Sequence, residues 1–159
     1  MTAARRERGL PAHRPARGFT IIEALVTLAV LAILTTIAVP NITAWIVSAR
    51  VRAAASDVYS ALIFARSEAV KRSSNVDIVP AGTWSGGWNV QVGAVVLQTQ
   101  AAYPSSLTFT GPPGTVTYGR DGRLTGVSNV TFTVSGITQS GAVRSRTVSV
   151  DLSGRPSVK

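Results

Sequence analysis

Apolar residues are concentrated in one uninterrupted run near the N-terminus, from Phe19 to Val39. The run has 21 residues and a single charged side chain, that of Glu23. Because an α-helix rises about 1.5 Å per residue, this segment would extend roughly 30 Å, which is the thickness of the hydrocarbon core of a bilayer. The pattern therefore predicts a membrane-inserting helix over residues 19–39.

A second apolar pattern follows Pro40 and has the spacing of an amphipathic helix. Its apolar positions are Ile42, Trp45, Ile46, Ala49, Ala53, Val58, Leu62, Ala65 and Ala69. Charged residues lie mostly between them, and residues 73–75 interrupt the pattern. Proline removes a backbone hydrogen bond and clashes with the preceding turn, so we predict a kink at Pro40. A helix end at Val39 is the alternative.

From residue 76 onward the period of the pattern changes to two, which is typical of β-strands. Strands are predicted at Val76–Val79, Trp88–Val92, Val95–Thr99, Leu107–Thr110, Thr115–Tyr118, Val130–Val134 and Val143–Leu152. The pairs Gly86-Gly87 and Asp121-Gly122 are predicted to form turns. The predicted fold class is therefore α+β, with a long N-terminal helix packed on a small antiparallel β domain.

The composition argues against an enzyme. There is no cysteine, which excludes disulfides, thiolate catalysis and cysteine metal sites. The single histidine, His13, lies before the apolar run in a segment that we expect to be removed. Without histidine and cysteine, hydrolase triads and dyads and most zinc sites are not available. We therefore predict no catalysis, no cofactor and no metal site.

The formal net charge of +9 is divided between two regions. Residues 1–18 carry five arginines and one glutamate, and the remainder carries 11 basic and 6 acidic residues. By the positive-inside rule, the arginines before the apolar run keep the N-terminus in the cytoplasm while the rest of the chain is exported. The basic excess in the exported part is compatible with binding to nucleic acid or anionic lipid, and equally with solubility alone.

Three ordinary interpretations of the N-terminal region compete. A secretory signal peptide has a shorter apolar region and a small-x-small cleavage site after it, and no such boundary is present here. The Arg5-Arg6 pair, which suggests twin-arginine export, lies 13 residues upstream of the apolar run. A plain signal anchor does not explain Glu23, because a carboxylate costs about 2.5–3.5 kcal/mol near the bilayer centre and needs a cationic partner.

The heptapeptide Arg17-Gly18-Phe19-Thr20-Ile21-Ile22-Glu23 resembles the cleavage motif of type IV prepilins and type II secretion pseudopilins. In that family a membrane aspartyl peptidase cuts after the glycine and methylates the new N-terminus. The resemblance implies that Gly18 precedes the cut and that Phe19 becomes the N-methylated first residue. It also implies that Glu23 pairs with the amine of a neighbouring subunit during assembly. The 18-residue leader is long for the family.

Two further segments are similar to one branch of this family, the GspH/FimT group of minor pilins and pseudopilins. They are the helix ending Ala61–Arg72 and the sequence Trp84-Ser85-Gly86-Gly87-Trp88. In the second segment, the two tryptophans are also interpreted as core aromatics that flank a hairpin. The charged residues of the first segment are predicted to form a solvated face with cations at the helix C-terminus. These residues are Arg66, Glu68, Lys71 and Arg72.

Some members of the FimT branch resemble DNA-uptake proteins that bind DNA through arginines in a Gly-Arg-x-Arg pattern near the C-terminus. The nearest match here, residues 154–157, lacks the second arginine. Arg144 and Arg146 lie two apart on a predicted strand and should point to the same face. The candidate DNA-binding residues are therefore Arg144, Arg146 and Arg155, with a solvated basic face as the alternative.

These observations divide the chain into four parts. Residues 1–18 are a removed basic leader, residues 19–40 the transmembrane and filament-core half of the helix, residues 41–74 its amphipathic half, and residues 75–159 a periplasmic β domain. This organisation predicts a single-pass protein of the bacterial inner membrane that enters a filament after assembly.

The resemblance implies a minor pseudopilin of the H type, a scaffolding subunit of the type II secretion pseudopilus. The alternative is a type IV minor pilin of the FimT type that binds DNA for natural transformation. A third interpretation is a signal-anchored periplasmic domain outside any filament. The expected partners are other pseudopilins or minor pilins, the prepilin peptidase and the inner membrane, with DNA for the alternative.

Overall fold

The computed structural model describes residues 18–126, 128–138, 141 and 143–159, with the side chains of residues 37 and 39–41 outside this description. Helix α1 spans Ile21–Arg72. Strands follow it in the order β1 Val76–Ala81, β2 Thr83–Val92, β3 Val95–Gln100, β4 Leu107–Thr110, β5 Val116–Tyr118, β6 Val130–Ile137, β7 Val143–Val150 and β8 Pro156–Val158. The predicted α+β fold class is confirmed.

The chain forms two units, Met1–Ile37 and Ala38–Lys159, and α1 contributes residues to both. Helix α1 continues through position 40. A helix end at Val39 is therefore wrong, and the kink at Pro40 stays a prediction.

Helix α1 ends at Arg72, and the next residue, Ser73, has a positive φ of 49°. The backbone N–H of Ser73 donates to the carbonyl of Val70, and that of Ser74 donates to the carbonyl of Ala69, both at 3.2 Å. This pair of bonds is the Schellman arrangement, which satisfies carbonyls that have no partner within the last turn of a helix. The predicted interruption over residues 73–75 is confirmed.

The strands form two four-stranded antiparallel sheets with the orders β3-β2-β1-β5 and β4-β6-β7-β8. Every predicted strand is present. Strand β7 ends at Val150 and not at Leu152, because a turn begins at Asp151, whose carbonyl accepts from the N–H of Gly154 at 2.9 Å. Strand β8 was missed, since three residues that begin with proline carry no readable alternation.

The glycine pair Gly86-Gly87 does not form the predicted turn, because both residues lie inside strand β2. A Cβ on Gly86 would lie 2.5 Å from the carbonyl oxygen of Ala81, and one on Gly87 would overlap the carbonyl oxygen of Gln100. The glycines therefore allow close approach of neighbouring backbone, which is the other common reason for glycine in a strand. It follows that the two tryptophans beside them lie on one strand and do not flank a hairpin.

The predicted turn at Asp121-Gly122 is confirmed. The N–H of Gly122 donates to the carbonyl of Gly119 at 2.8 Å, and Gly122 has a φ of 73°.

The core of the unit Ala38–Lys159 lies between the second half of α1 and both sheets. The buried helix positions are mostly small, and they are Val51, Ala54, Ala55, Val58, Ala61, Leu62, Ala65 and Ala69. The sheets contribute larger side chains, among them Ile78, Trp84, Trp88, Tyr118 and Phe132. Small side chains on the helix leave room for large ones on the sheets, as close packing requires.

The predicted apolar stripe of α1 is only partly correct. It is buried at Val58, Leu62, Ala65 and Ala69, but Ile42 and Trp45 are 56% and 66% exposed, and Ala53 is exposed. The buried face begins instead at Val51, with Val47 packed against its edge. Helical periodicity identifies a possible inner face, but the length of the covering sheet determines where that face begins.

Candidate functional site

The Gly18–Phe19 peptide bond is exposed and lies just before α1. A Cβ built on Gly18 meets no atom within 4 Å, and the Phe19 side chain is 79% exposed. The helix begins two residues later, at Ile21. An exposed, non-helical backbone segment is the kind that a peptidase can bind in extended form.

Thr20 caps the first turn of α1. Its Oγ1 accepts a hydrogen bond from the backbone N–H of Glu23 at 3.2 Å, and its carbonyl accepts from the N–H of Ala24 at 3.2 Å. Threonine at the N-cap with glutamate three residues later has the sequence of a capping box. The Glu23 carboxylate also belongs to the first turn, where the helix dipole favours negative charge. A carboxylate at this position is therefore compatible with the helix before any partner is added.

The first half of α1 exposes large apolar side chains on all sides. More than half of each side chain is accessible at Phe19, Ile21, Ile22, Leu25, Val26, Leu28, Val30, Leu31, Ile33 and Leu34. A continuous apolar surface of this extent marks contact with lipid or with other protein chains. Within the part of the chain that the structure describes, no helical stretch meets the length and hydropathy of a membrane span.

Arg144 and Arg146 point to one face of β7, as predicted from their spacing. It is the face that carries the buried Val148 and Val150 two and four residues further along the strand. The guanidinium groups therefore lie on the α1 side of the sheet, at the end of β7 where both residues remain exposed.

Arg52 of α1 joins these two arginines. A cavity of about 200 Å³ is lined by Ser48, Val51, Arg52, Arg144, Ser145 and Arg146. A neighbouring cavity of about 270 Å³ shares Arg52 and Arg146 and adds Ala55, Ser56, Tyr59 and Val158. We call the two together the basic groove. Among the residues that the structure describes, none that lines the groove is acidic, so its electrostatics favour an anion.

Arg155 is not part of the basic groove. It lies in the turn between β7 and β8, where its backbone N–H donates to Asp151 Oδ1 at 2.9 Å. Hydrogen bonds from the Ser153 hydroxyl and the Arg155 N–H hold the pKa of Asp151 below its ordinary value. Arg155 lines a separate cavity with Asp151 and Asn129. The structure thus brings together two of the three predicted arginines.

Sequence reasoning missed Arg52 as a member of the basic cluster. Its contribution depends on which strand packs beside α1, and helical spacing alone contains no such information. The signal that was available is the helix line Ser48-Arg52-Ser56-Tyr59, in which polar side chains recur at steps of three and four residues.

The charged segment near the end of α1 is not the uniformly solvated face that was predicted. Glu68 is buried and accepts hydrogen bonds from Arg72 Nε at 2.6 Å and from Lys71 Nζ at 3.2 Å. These bonds, first that of Arg72, hold the pKa of Glu68 below its ordinary value of 4.5. Arg66 is half-buried and donates from Nε to the carbonyl of Gly122 at 3.0 Å. The segment therefore stabilises the fold.

Buried polar groups elsewhere belong to the core. The Tyr103 hydroxyl donates to Asp57 Oδ2 at 2.8 Å, and burial followed by this hydrogen bond raises the pKa of Tyr103. Among the residues that the structure describes, no group of three or more potential metal ligands comes together. The basic groove, in contrast, offers the cations of Arg52, Arg144 and Arg146 beside the hydroxyl groups of Ser48 and Ser145, a combination that suits an anion.

A long N-terminal helix, a capped first turn directly after an exposed Gly-Phe bond, and two antiparallel sheets packed on the second half of the helix together define a pilin-like subunit. The family model of the type II transport protein GspH matches residues 54–154, and that of the prokaryotic N-terminal methylation motif matches residues 13–39. The chain therefore belongs to the GspH family.

The type IV minor pilin FimU of Pseudomonas aeruginosa (strain PAO1) has a similar structure in two crystal forms. In space group P21 the TM-score is 0.60 at 22% identity, over 69% of this chain and 88% of that chain. In space group P65 the values are 0.58 and 24%, over 68% and 91%. At these identities the likeness shows the pilin-like fold. A comparison with curated proteins finds no match.

Proposed function

We propose that the chain is a minor pseudopilin of the H type, a non-enzymatic structural subunit of the periplasmic pseudopilus of a type II secretion system. The observation that carries this proposal is the exposed apolar first half of α1, which begins at Ile21, two residues after Phe19. The match of residues 54–154 to the GspH family supports the H type in particular.

In this proposal the apolar half of α1 has two successive partners. Residues 19–39 hold the chain in the inner membrane with a cytoplasmic N-terminus, and after assembly the same surface packs in the filament core. A charged Glu23 in that environment needs a cation. The α-amine of Phe19 on a neighbouring subunit, freed by cleavage after Gly18, supplies it.

Processing is tested with Gly18→Leu in cells that contain the prepilin peptidase. The wild-type chain is expected to lose residues 1–18 and to gain one methyl group on Phe19, whereas the variant keeps its leader. Intact-mass measurement of the purified chain reads both events. Gly9→Leu, a matched change within the leader, should be processed normally. An uncut wild-type chain would instead support the signal-anchored domain outside any filament.

Assembly is tested with Glu23→Gln, which removes the charge and keeps the shape of the side chain. The variant is expected to remain in the membrane fraction but to be lost from sheared filaments, because the pairing with the Phe19 amine no longer forms. Thr27→Ala, one turn further along α1, is the matched control and should assemble. Normal incorporation of Glu23→Gln would remove the pairing argument.

A type IV minor pilin that binds DNA is the second candidate. The observation that favours it is the basic groove, since phosphate contacts need clustered cations. A gel-shift titration of the full chain in a non-ionic detergent, over a salt series with duplex DNA, tests this function. Salt-sensitive binding that is lost in Arg144→Gln/Arg146→Gln would favour it, and an absence of binding at low salt would leave scaffolding.

A further inference from the structure

One line of side chains on α1 runs from exposed apolar residues into the basic groove. Ile42, Trp45, Ser48 and Arg52 follow one another at steps of three and four residues, so they share one face of the helix. Ile42 and Trp45 are each more than half exposed, although the sequence pattern predicted them to be core residues. The exposed tryptophan and the arginines therefore belong to one continuous surface.

The basic groove itself has a polar part and an apolar part. The polar part, beside Ser48, is where Arg52, Arg144 and Arg146 converge. The apolar part adds Ala55 and Val158, with the ring of Tyr59. An occupant that matches both parts has an anionic group next to a hydrocarbon stem.

The surface formed by Trp45 and Arg52 follows the apolar run of residues 19–39 closely in the sequence. Trp45 follows Val39, the last residue of the apolar run, by six residues, which is about 9 Å along the helix. Side chains of an α-helix lean toward its N-terminus, so Arg52 leans toward Ser48 and Trp45. The proposed function puts residues 19–39 in a bilayer, and a tryptophan this soon after that segment in the sequence suits the membrane surface, which tryptophan prefers.

The sheet brings its arginines to the same level of the helix. Arg144 pairs across the ladder with Gly136, and a Cβ on Gly136 would lie 2.9 Å from Val47 of α1. At the end of the same hairpin, Ile137 and Val143 pair and are each more than 60% exposed. Apolar and basic side chains from two elements therefore meet at the level of residues 42–52.

We propose that, before assembly, the face formed by Trp45, Arg52, Arg144 and Arg146 rests on anionic phospholipid of the membrane that anchors the chain, with a lipid phosphate in the polar part of the groove. The proposal rests on the membrane anchoring of the proposed function. Docking on lipid limits the orientations of the β domain above the bilayer, and entry into a filament then requires release from the lipid.

Anionic lipid can contact more of the side chains on this surface than DNA can. A DNA backbone would use the three arginines but offers nothing to the exposed Ile42 and Trp45 beside them. Anionic lipid supplies phosphate for the arginines and an interface for the apolar side chains. Arg155 was the third candidate for DNA binding, but it lines a different cavity and does not extend the row of arginines.

The test uses the full chain in nanodiscs whose lipids carry brominated acyl chains, which quench tryptophan fluorescence on contact. Quenching of Trp45 is compared between phosphatidylglycerol discs and phosphatidylcholine discs. Trp84 and Trp88 lie in the core and supply a background emission that the lipids do not quench. The variant Trp45→Phe emits only from these two residues, so its spectrum measures that background. The wild-type chain is expected to be quenched more strongly in the anionic discs, and the difference is expected to shrink as salt rises.

Two triple variants with the same change in net charge separate a local site from general charge. Arg52→Gln/Arg144→Gln/Arg146→Gln is expected to lose the difference between the two lipids. Each arginine at an anionic surface strengthens association about fivefold, so three correspond to a factor on the order of 100. Arg120→Gln/Arg123→Gln/Arg155→Gln, which changes exposed arginines outside the groove, should keep the difference. Each triple variant is also made with Trp45→Phe, and unchanged emission from Trp84 and Trp88 then verifies that the variant is folded.

Three outcomes overturn the proposal. The first is equal quenching of Trp45 in neutral and anionic discs. The second is an equal loss of the quenching difference in both triple variants. The third is a groove variant that loses duplex-DNA binding but keeps the quenching difference, which would assign the groove to DNA. Membrane insertion and filament incorporation of the same variants are measured separately. A chain that inserts and assembles without a lipid difference contradicts this inference alone, and one that fails to insert contradicts the proposed function.

Discussion

The two halves of helix α1 pack in opposite ways, since the first exposes large apolar side chains and the second buries small ones. From Ile21 to Leu34 the helix carries large apolar side chains that are more than half exposed. From Val51 to Ala69 the inward positions are mostly alanine and are almost fully buried. Burial of apolar surface stabilises a contact roughly in proportion to its area, so the exposed first half offers a large apolar surface for further contacts.

This difference separates the part of the helix that stabilises the folded chain from the part whose apolar surface stays exposed. The second half depends on large side chains that the sheets supply, so its packing is complete within a single subunit. In the described part of the chain, the large apolar side chains of the first half stay more than half exposed. Substitutions in the second half should consequently lower the free energy of unfolding, whereas substitutions in the first half should leave it almost unchanged.

Phe132→Ala should cause the largest loss of stability. The Phe132 side chain is 1% exposed and meets the Trp84 ring edge-to-face with centroids 4.7 Å apart. Truncation of a buried phenylalanine costs about 3–5 kcal/mol. The measurement is the free energy of unfolding of the full chain in detergent, followed by the emission of the core tryptophans.

The matched change in the first half of α1 is Leu31→Ala, which should alter that free energy by less than about 0.5 kcal/mol. A comparable destabilisation by both substitutions would show that the two halves fold as one cooperative unit and would end the comparison.

Gly136→Ala tests the place where the covered part of the helix begins. An added Cβ would lie 2.9 Å from Val47 and 3.1 Å from Leu107, so these side chains must shift. Overpacking of this kind costs about 1–3 kcal/mol. Thermal unfolding of the full chain measures the loss. Gly126→Ala, where the nearest atom is 4.0 Å away, is the control, and an equal loss there would contradict the contact with the helix.

Thr20→Ala should loosen only the first turn of α1. Loss of the hydrogen bond from the Glu23 N–H to Thr20 Oγ1 removes an N-cap, which contributes about 1 kcal/mol. Faster amide exchange at residues 22–24, with an unchanged β domain, is the expected result. Thr27→Ala loses only a hydroxyl bond to the carbonyl of Ala24 and should leave these amides unchanged.

Glu68→Gln should have the smallest effect on stability, and this effect should appear only at acidic pH. The hydrogen bonds from Arg72 and Lys71 lower the pKa of Glu68 in the folded chain, so the carboxylate stabilises the fold above its ordinary value of 4.5. This stabilisation is lost as the pH falls through the lowered pKa. The melting temperature of Glu68→Gln should therefore fall less on acidification than that of the wild type.

The variant Lys71→Gln/Arg72→Gln removes the partners instead of the carboxylate and should flatten the acid dependence in the same way. An acid dependence that matches the wild type in both variants would show that another group controls it.

The candidate sites differ in how well a sequence can reveal them. Gly18, Phe19 and Glu23 are close together along the chain, so their relation is local and readable as a motif. The basic groove combines Arg52 with Arg146, which are far apart in sequence, and only the packing of β7 beside α1 brings them together. Arg155 was grouped with Arg144 and Arg146 because residues 154–157 are the nearest match to the Gly-Arg-x-Arg pattern, yet the turn at Asp151 places Arg155 at another cavity.

Features that depend on short-range regularity can be read from the sequence alone. These are the apolar run over residues 19–39, the helical spacing up to residue 72, the alternation within the longer strands and the Gly-Phe motif, because each is set by the periodicity of the local backbone. Three other features became visible only in the folded chain: the start of the covered face of α1 at Val51, the position of Gly86 and Gly87 within strand β2, and the presence of strand β8. Each of these depends on which distant backbone comes close, and hydrophobic periodicity does not identify the partner.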